Sequence, residues 1–323
     1  MPRRPIDRSL SVTECDPFDA HPLVPIYNAL FAKHAPPSCP PVRDDEFAVG
    51  MTQVTNADRP VSRLGLGSLR LIQAARDGRI FGFAHVAIET KTWEDPVTRR
   101  GLIRVFVYDP SDRAAGHALL AASETYFLER GVHDVCASPW FAPARFIHTG
   151  REGVSTFHAH VLALFGLNGY SVWRAEHIME APDITKAPEP SAPDAGLTVN
   201  VEHMLGRGAL PGFLVRMERS GDEIGACECR AHGHYLRAPD AQARLLVEAL
   251  DVTEAERGRG FGRYLLRRAL WEGRQIGHRH ADLRVRTDNL LAMMLYASEG
   301  FRIIGTGYML TKSLLDETED VGA

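Results

Sequence analysis

Two stretches of the chain repeat one succession of apolar and polar positions. In the first, an apolar run from Leu102 to Tyr108 meets a polar turn, and Arg113, Gly116 and Ala118 then open a stretch with Leu119, Ala122, Tyr126 and Phe127 on one helical face. In the second, Leu245 to Val252 is followed by a polar turn. Arg257, Gly260 and Gly262 then lead into Phe261, Leu265, Ala269 and Leu270 on one face. Each stretch predicts a strand, a tight turn and an amphipathic helix. The helices should stop near Gly131 and Gly277, because glycine readily takes the left-handed conformation that closes a helix. A short β-rich segment follows each, Val132 to Ser138 and Ala281 to Thr287. A further helix then ends in Gly169-Tyr170 and in Gly300-Phe301. Strands alternating with helices predict an α/β fold with a mixed sheet, and the repetition predicts two related domains.

The halves are unequal. The first carries extra residues around 138–155, where Pro139, Trp140, Pro143 and Gly150 interrupt any regular pattern. It also has a long lead-in with a helix-like segment from Pro25 to Lys33, whereas little chain precedes the strand-like run Phe213 to Glu218 in the second half. Between them, Ala181 to Ala195 holds Pro182, Pro188, Pro190 and Pro193 among polar residues, the composition of a semi-extended linker. The expected domains are therefore 1–180 and 196–323, joined by 181–195. Ser9 to Val12 and Asp316 to Ala323 read as frayed ends.

Composition narrows the setting. With 45% hydrophobic and 24% charged residues the chain has enough apolar surface to fold, which excludes extensive disorder. No run approaches the ~20 apolar residues of a membrane-spanning helix, and the basic start at Arg3-Arg4 leads into no apolar segment of a signal peptide. Five scattered cysteines suggest no disulfide framework, which points to a reducing, cytoplasmic location. A net charge of −4 leaves no basic footprint for nucleic acid. The pairs His158/His160, His232/His234, His278/His280 and Cys227/Cys229 lack an accompanying zinc-ligand set, so no metal is expected.

Chemistry concentrates at Arg257-Gly258-Arg259-Gly260-Phe261-Gly262-Arg263. Glycines let the backbone turn tightly and approach a ligand, and the first N–H groups of a helix lack intrahelical partners. With flanking arginines they form a cradle for a pyrophosphate. Gly262-Arg263-Tyr264 does not supply the Gly-Lys-Ser/Thr of a Walker loop. Gly258, Gly260 and Gly262 do not give the Gly-x-Gly-x-x-Gly of a dinucleotide fingerprint.

The segment Val252 to Gly262 resembles the acyl-CoA signature of the GNAT superfamily of N-acyltransferases, Gln/Arg-x-x-Gly-x-Gly/Ala after a strand. Asn289, Ala292, Tyr296, Gly300 and Phe301 are similar to that family's second signature. Arg113, Gly116 and Ala118 fit the first signature more weakly. The tandem arrangement resembles two-domain GNAT enzymes such as mycothiol synthase. The resemblance implies two tandem GNAT-like domains, each a mixed central sheet flanked by helices with a splayed strand pair for acyl-CoA. It implies transfer of an acyl group, acetyl above all, from acetyl-CoA to a small-molecule or peptide amine by direct attack, in a monomer with pseudo-dimeric halves.

By the same resemblance, Arg257, Gly258, Arg259, Gly260, Phe261, Gly262 and Arg263 would hold the pyrophosphate, and Leu250 and Val252 the pantetheine arm and thioester carbonyl. Asn289 would contact the cofactor, and Tyr296 would protonate the leaving thiolate. Strand alternation puts Glu248 on the face of Leu250 and Val252, with Asp251 opposite, which makes Glu248 the candidate base. In the first half Phe165, His158, Arg104 and Tyr108 stand where Tyr296, Asn289, Glu248 and Val252 stand in the second. That half would be degenerate and the second catalytic. Two other classes fit the same residues: a CoA-binding regulatory module without turnover, and a scaffold whose first half binds a partner.

Overall fold

The computed structural model describes residues 9–52, 65–91, 97–139, 141–147, 154–191 and 194–315. Trp140, Gly150, Pro193 and Asp316 to Ala323, singled out above, lie outside them. In chain order the first elements are β1 (Leu10–Cys15), α1 (Val24–Tyr27), α2 (Asp44–Thr52), β2 (Gly65–Arg76), β3 (Arg79–Lys91), β4 (Thr98–Tyr108), α3 (Arg113–Leu128), β5 (Asp134–Ala137), α4 (Ala159–Leu167) and β6 (Ser171–Ala181). The rest are β7 (Leu197–Met204), β8 (Gly212–Arg219), β9 (Asp222–Ala231), α5 (Pro239–Gln242), β10 (Arg244–Val252), α6 (Phe261–Ile276), β11 (His280–Arg286), α7 (Leu290–Ser298) and β12 (Arg302–Ser313). The lead-in helix at Pro25 to Lys33 is α1 continued by a π-helical turn, Asn28–Ala32.

The chain forms two compact units, one of residues 1–35, 41–175 and 307–323, the other of 36–40 and 176–306. In the first, β1 to β5 lie in sequence order and residues 310–313 of β12 pair antiparallel with β5. In the second, β7 to β11 lie in sequence order and β6 pairs antiparallel with β11 through 176–181. Each sheet is mixed, since β4–β5 and β10–β11 are parallel and their other pairs antiparallel. Each unit thus takes as its sixth strand the one that sequence order places in the other half.

In the second unit α6 and α7 pack on one face of the sheet. Leu265, Leu266, Ala269 and Tyr296 share a core with Val215, Cys227, Leu245, Val247, Leu283 and Val285. In the first unit α3 and α4 do the same, with Leu119, Tyr126, Phe127 and Phe165 against Ile103, Phe106, Val135 and Ala137. The proline-rich segment is not a free linker. Ile184 is buried in the second core and donates its N–H to the Arg279 carbonyl at 2.9 Å, and Arg274 Nη1 donates to the Ala187 carbonyl at 2.8 Å. Residues 182–191 form no helix or strand, yet they pack against the second unit.

Candidate active site

In the second unit β10 and β11 run parallel and pair from Arg244/His280 to Val247/Leu283. Both strands continue, but apart. Leu250 and Val252 pair with Cys227 and Gly225 of β9, and Arg284 and Arg286 pair with Ile178 and Glu176 of β6. The edges of β10 and β11 that face each other beyond Leu283 therefore have no strand between them, and a wedge opens toward the C-terminal ends. Backbone polar groups along such an edge need partners, and an extended arm of amides supplies them.

The strands part where β10 bulges, between Val247 and Ala249. One extra residue changes the phase of the side chains. Leu245 and Val247 face the α6 core before it, Leu250 and Val252 after it. The alternation expected to put Glu248 on the face of Leu250 and Val252 is corrected here, because Glu248 is the extra residue. It is half-buried, with Oε2 sealed from solvent. Asp251 is exposed on the face opposite Leu250, as expected.

At the mouth of the wedge lies the glycine turn. Gly258 and Gly260 have φ of 77° and 83°, left-handed values that side chains resist, and open space lies where either would carry a Cβ. Gly260 is the N-cap of α6, and no side chain caps that helix. Its first N–H groups stay available to an anion. Phe261 is buried, so only its backbone can take part. Arg257 braces the turn, Nε donating to the Val252 carbonyl at 3.0 Å. Arg259 lies 2.6 Å from Glu256, and Arg263 and Arg267 share Glu299 at 3.0 and 2.6 Å. The three arginines are about half exposed and the two glutamates largely covered, so guanidinium groups form the outer surface.

Tyr296 comes from α7 and is 8% exposed. Burial, then Cys227 and Asp251, push its pKa up to about 12, so it is a neutral donor at any ordinary pH. Asn289 has a structural task already: its Oδ1 caps α7, accepting from the Ala292 N–H at 3.2 Å.

Residues 179–301 match the sequence profile of the acetyltransferase (GNAT) family. This segment is similar to GNAT domains. No curated protein matches the sequence. Among solved structures, the fold is similar to a tandem GNAT protein from the clavulanic acid biosynthesis pathway, with TM-score 0.67, 14% identity, and coverage of 95% of this chain and 99% of that one. It is similar to the GCN5-related glucosamine N-acetyltransferase region of a fungal multi-domain GH3 β-N-acetylglucosaminidase, with TM-score 0.66 and 14% identity over 94% of this chain; the match spans 38% of the fungal protein. A GCN5-related N-acetyltransferase from Sphaerobacter thermophilus gives TM-score 0.58 at 15% identity, covering 96% and 97% of the two chains. At these identities the likeness is one of fold, that of two GNAT-like domains.

The first unit has the same frame without the openings of the second. Its helix start is occupied, because Asp112 accepts from the Ala115 N–H at 3.1 Å and is held by Arg76 at 3.0 Å. The Tyr108 ring covers Gly116 so closely that an added Cβ would lie 2.8 Å from it, and the Tyr108 hydroxyl donates to the His160 carbonyl at 3.0 Å. Beyond the last β4–β5 pair, Ile103, Arg104, Phe106, Ala137, Ser138, Val154 and Phe165 enclose no room for a water. Arg104 is buried and donates to the Ala142 and Pro143 carbonyls at 2.9 and 3.0 Å. Burial lowers its pKa to about 10. His158 stacks on Phe31 at 4.1 Å and donates Nε2 to the Phe31 carbonyl, with burial bringing its pKa down to about 4.

Of the residues expected in the site, Glu248, Leu250 and Val252 lie on β10, Arg257 to Gly260 in the turn after it, Phe261 to Arg263 in the first turn of α6, Asn289 at the N-cap of α7 and Tyr296 within α7. The sequence reading missed the place of Asp251 in the electrostatic surroundings of Tyr296. It also missed the role of His232, considered there only as a metal ligand but fully buried against Asp282. An acid directly before Val252, on the strand that leads into the signature turn, was the available signal for the first. The alternation of Ala281, Leu283 and Val285 with Asp282 and Arg284, which puts charges on the second face of a strand inside the sheet, was the signal for the second.

Proposed function

We propose that the chain is an acetyl-CoA-dependent N-acyltransferase whose chemistry belongs to the second unit. The observation that carries this reading is the wedge between β10 and β11 with an uncapped glycine turn at its mouth, since an extended thioester with a pyrophosphate head needs both. The N–H groups of Gly258 to Arg263 would take the pyrophosphate, supported by the dipole of α6 and by Arg259 and Arg263. The β10 edge at Leu250 and Val252 would align the pantetheine amides and polarise the thioester carbonyl. A neutral amine attacks that carbon, the C–S bond breaks as the tetrahedral adduct collapses, and the sulfur takes a proton from Tyr296. Glu248 at the bulge and Asp251 beyond it are the carboxylates best placed to receive the ammonium proton.

The first unit, its cradle capped by Asp112 and its wedge filled, is read as binding no thioester. The acceptor is a small-molecule or peptide amine, and one chain suffices for turnover in a reducing compartment. Among the described residues no helix is long and apolar enough to cross a membrane. Thiol release from acetyl-CoA, measured across a panel of primary amines, tests the reading. Acceptor-dependent release that is lost in Tyr296→Phe supports it, and CoA binding without release by any amine returns it to a regulatory module.

A further inference from the structure

On the face opposite α6, at the closed end of the wedge, lies a group of buried charges that the reaction does not use. Asp282 of β11 stands opposite Leu246 of β10 and opposite Glu180 of β6, one position before the last β10–β11 pair. It is 1% exposed and its Oδ1 accepts from His232 Nε2 at 3.1 Å, with Arg284 and Arg244 at 3.6 and 3.8 Å. Arg244 of β10 reaches past β11 to Glu180 of β6 at 2.8 Å. Four segments are tied in one place: the end of β9 through His232, then β10, β11 and β6. Burial would raise the Asp282 pKa, but His232, Arg284 and Arg244 outweigh it and hold it below the usual carboxylate value.

We infer that this network is the fixed end of the thioester gap, and that Asp282, Arg244 and Glu180 are positioning residues for the arm of the bound thioester. The inference rests on the acyl-CoA reading above. The β10–β11 ladder spans only Arg244–Val247 against His280–Leu283, and beyond it β10 bulges away. So short a parallel ladder does little to set its own register. The apolar contacts on the α6 face are non-directional and tolerate sliding. Directional bonds shielded from water do not. A slip of either strand by one residue would turn its own charge, Arg244 on β10 or Asp282 on β11, into the α6 core, so the network makes Val247/Leu283 the point where the strands part. The gap beyond then keeps the width of one extended arm. Buried ion networks seldom add net stability over apolar residues of like volume, and register is their best-attested use.

The test separates the arm from the head of the ligand. In the full chain, affinities for acetyl-CoA and for 3′-phospho-ADP, which has the pyrophosphate but no pantetheine, are measured by calorimetry. The variants are Asp282→Asn and the double variant Arg244→Met/Glu180→Leu. The double variant removes both partners of one ion pair, so no lone charge stays buried. Acetyl-CoA should bind at least tenfold more weakly in it, with 3′-phospho-ADP within twofold of wild type. Equal weakening of both ligands would reduce the network to general stability, and no change in either would remove it from the gap altogether; each overturns the inference. A wild-type chain that binds neither ligand would instead overturn the acyl-CoA reading. Should neither variant fold, amide exchange of the wild type decides: Arg244–Val247 and His280–Leu283 must exchange as slowly as the core of α6, and faster exchange overturns the inference.

Discussion

At the residue scale the hydroxyl of Tyr296 and the bare backbone of the glycine turn carry most of the reading. Tyr296→Phe keeps the ring in its buried place, so folding and CoA affinity should persist while turnover falls by about 10²-fold, the usual range for a positioned acid. Steady-state kinetics beside calorimetry checks it, and unchanged kcat would show that the thiolate leaves unaided. The pH profile has a definite sign. With a pKa near 12, Tyr296 keeps its proton through the ordinary range. Rate should therefore rise with pH as the amine loses its proton and show no alkaline fall from this group up to about pH 10; a fall below pH 9 in wild type that vanishes in Tyr296→Phe would contradict the assignment. For the turn, Gly262 gives a cleaner test than Gly260. Gly260 has φ 83°, where any side chain strains the backbone, while a Cβ at Gly262 would meet Leu295 and Val252 at an ordinary 3.7 and 3.9 Å. An aspartate at the first turn favours the helix dipole but repels a pyrophosphate. Gly262→Asp should leave the thermal midpoint within a few degrees and weaken CoA at least tenfold, about 1.4 kcal/mol; undiminished affinity would move the phosphate site elsewhere.

At the element scale, what was legible in the sequence was what local periodicity encodes. The order of strands and helices, the glycines that end α6 and α7, and the turn that opens α6 all follow from patterns of 2 and 3.6 residues with their punctuation. Glu248 was harder, because a bulge inserts one residue without a composition of its own, and every alternation argument beyond it changes sign. Asn289 was read for its place in a signature, yet its Oδ1 caps α7. One side chain can meet both descriptions, and sequence names only the one with a motif. Gly116 was read as a remnant of a phosphate turn, but the Tyr108 ring lies against it, so a substitution there would test packing rather than ligand binding. The closed state of the first cradle is better probed at Asp112. Asp112→Ala removes the α3 cap and should lower stability by about 1 kcal/mol. The Tyr108 ring still covers the site, so titration should continue to give one CoA per chain; a second equivalent appearing in this variant would show that Asp112 alone kept the first unit shut.

At the scale of the whole chain, the division expected at 181–195 and the compact units differ in the sixth strands. Residues 176–181 count with the second unit and 307–313 with the first. Nothing local could reveal this, since an alternating strand names its faces but not its sheet, and β6 and β12 each follow a helix closed by glycine and an aromatic. The exchange decides how the halves behave when separated. A fragment of residues 196–323 lacks 176–181, the strand that covers β11 from Ala281 to Arg286, and carries 310–313, whose partner β5 is missing. Met179, Ala181 and Ile184 would leave the second core, and Met309 and Leu310 would come out of burial. Each large apolar side chain exposed in this way costs about 1.5–3 kcal/mol, against a total stability of only about 5–15 kcal/mol. An unpaired strand edge also invites association. Either half alone should therefore be insoluble or unfolded. Residues 1–191 and 192–323 made together should recover a soluble assembly, because each supplies the strand the other lacks. Co-expression with a tag on one fragment and circular dichroism of what is retained measures this. A C-terminal fragment that is monomeric, folded and able to bind CoA by itself would show that the sixth strands are dispensable.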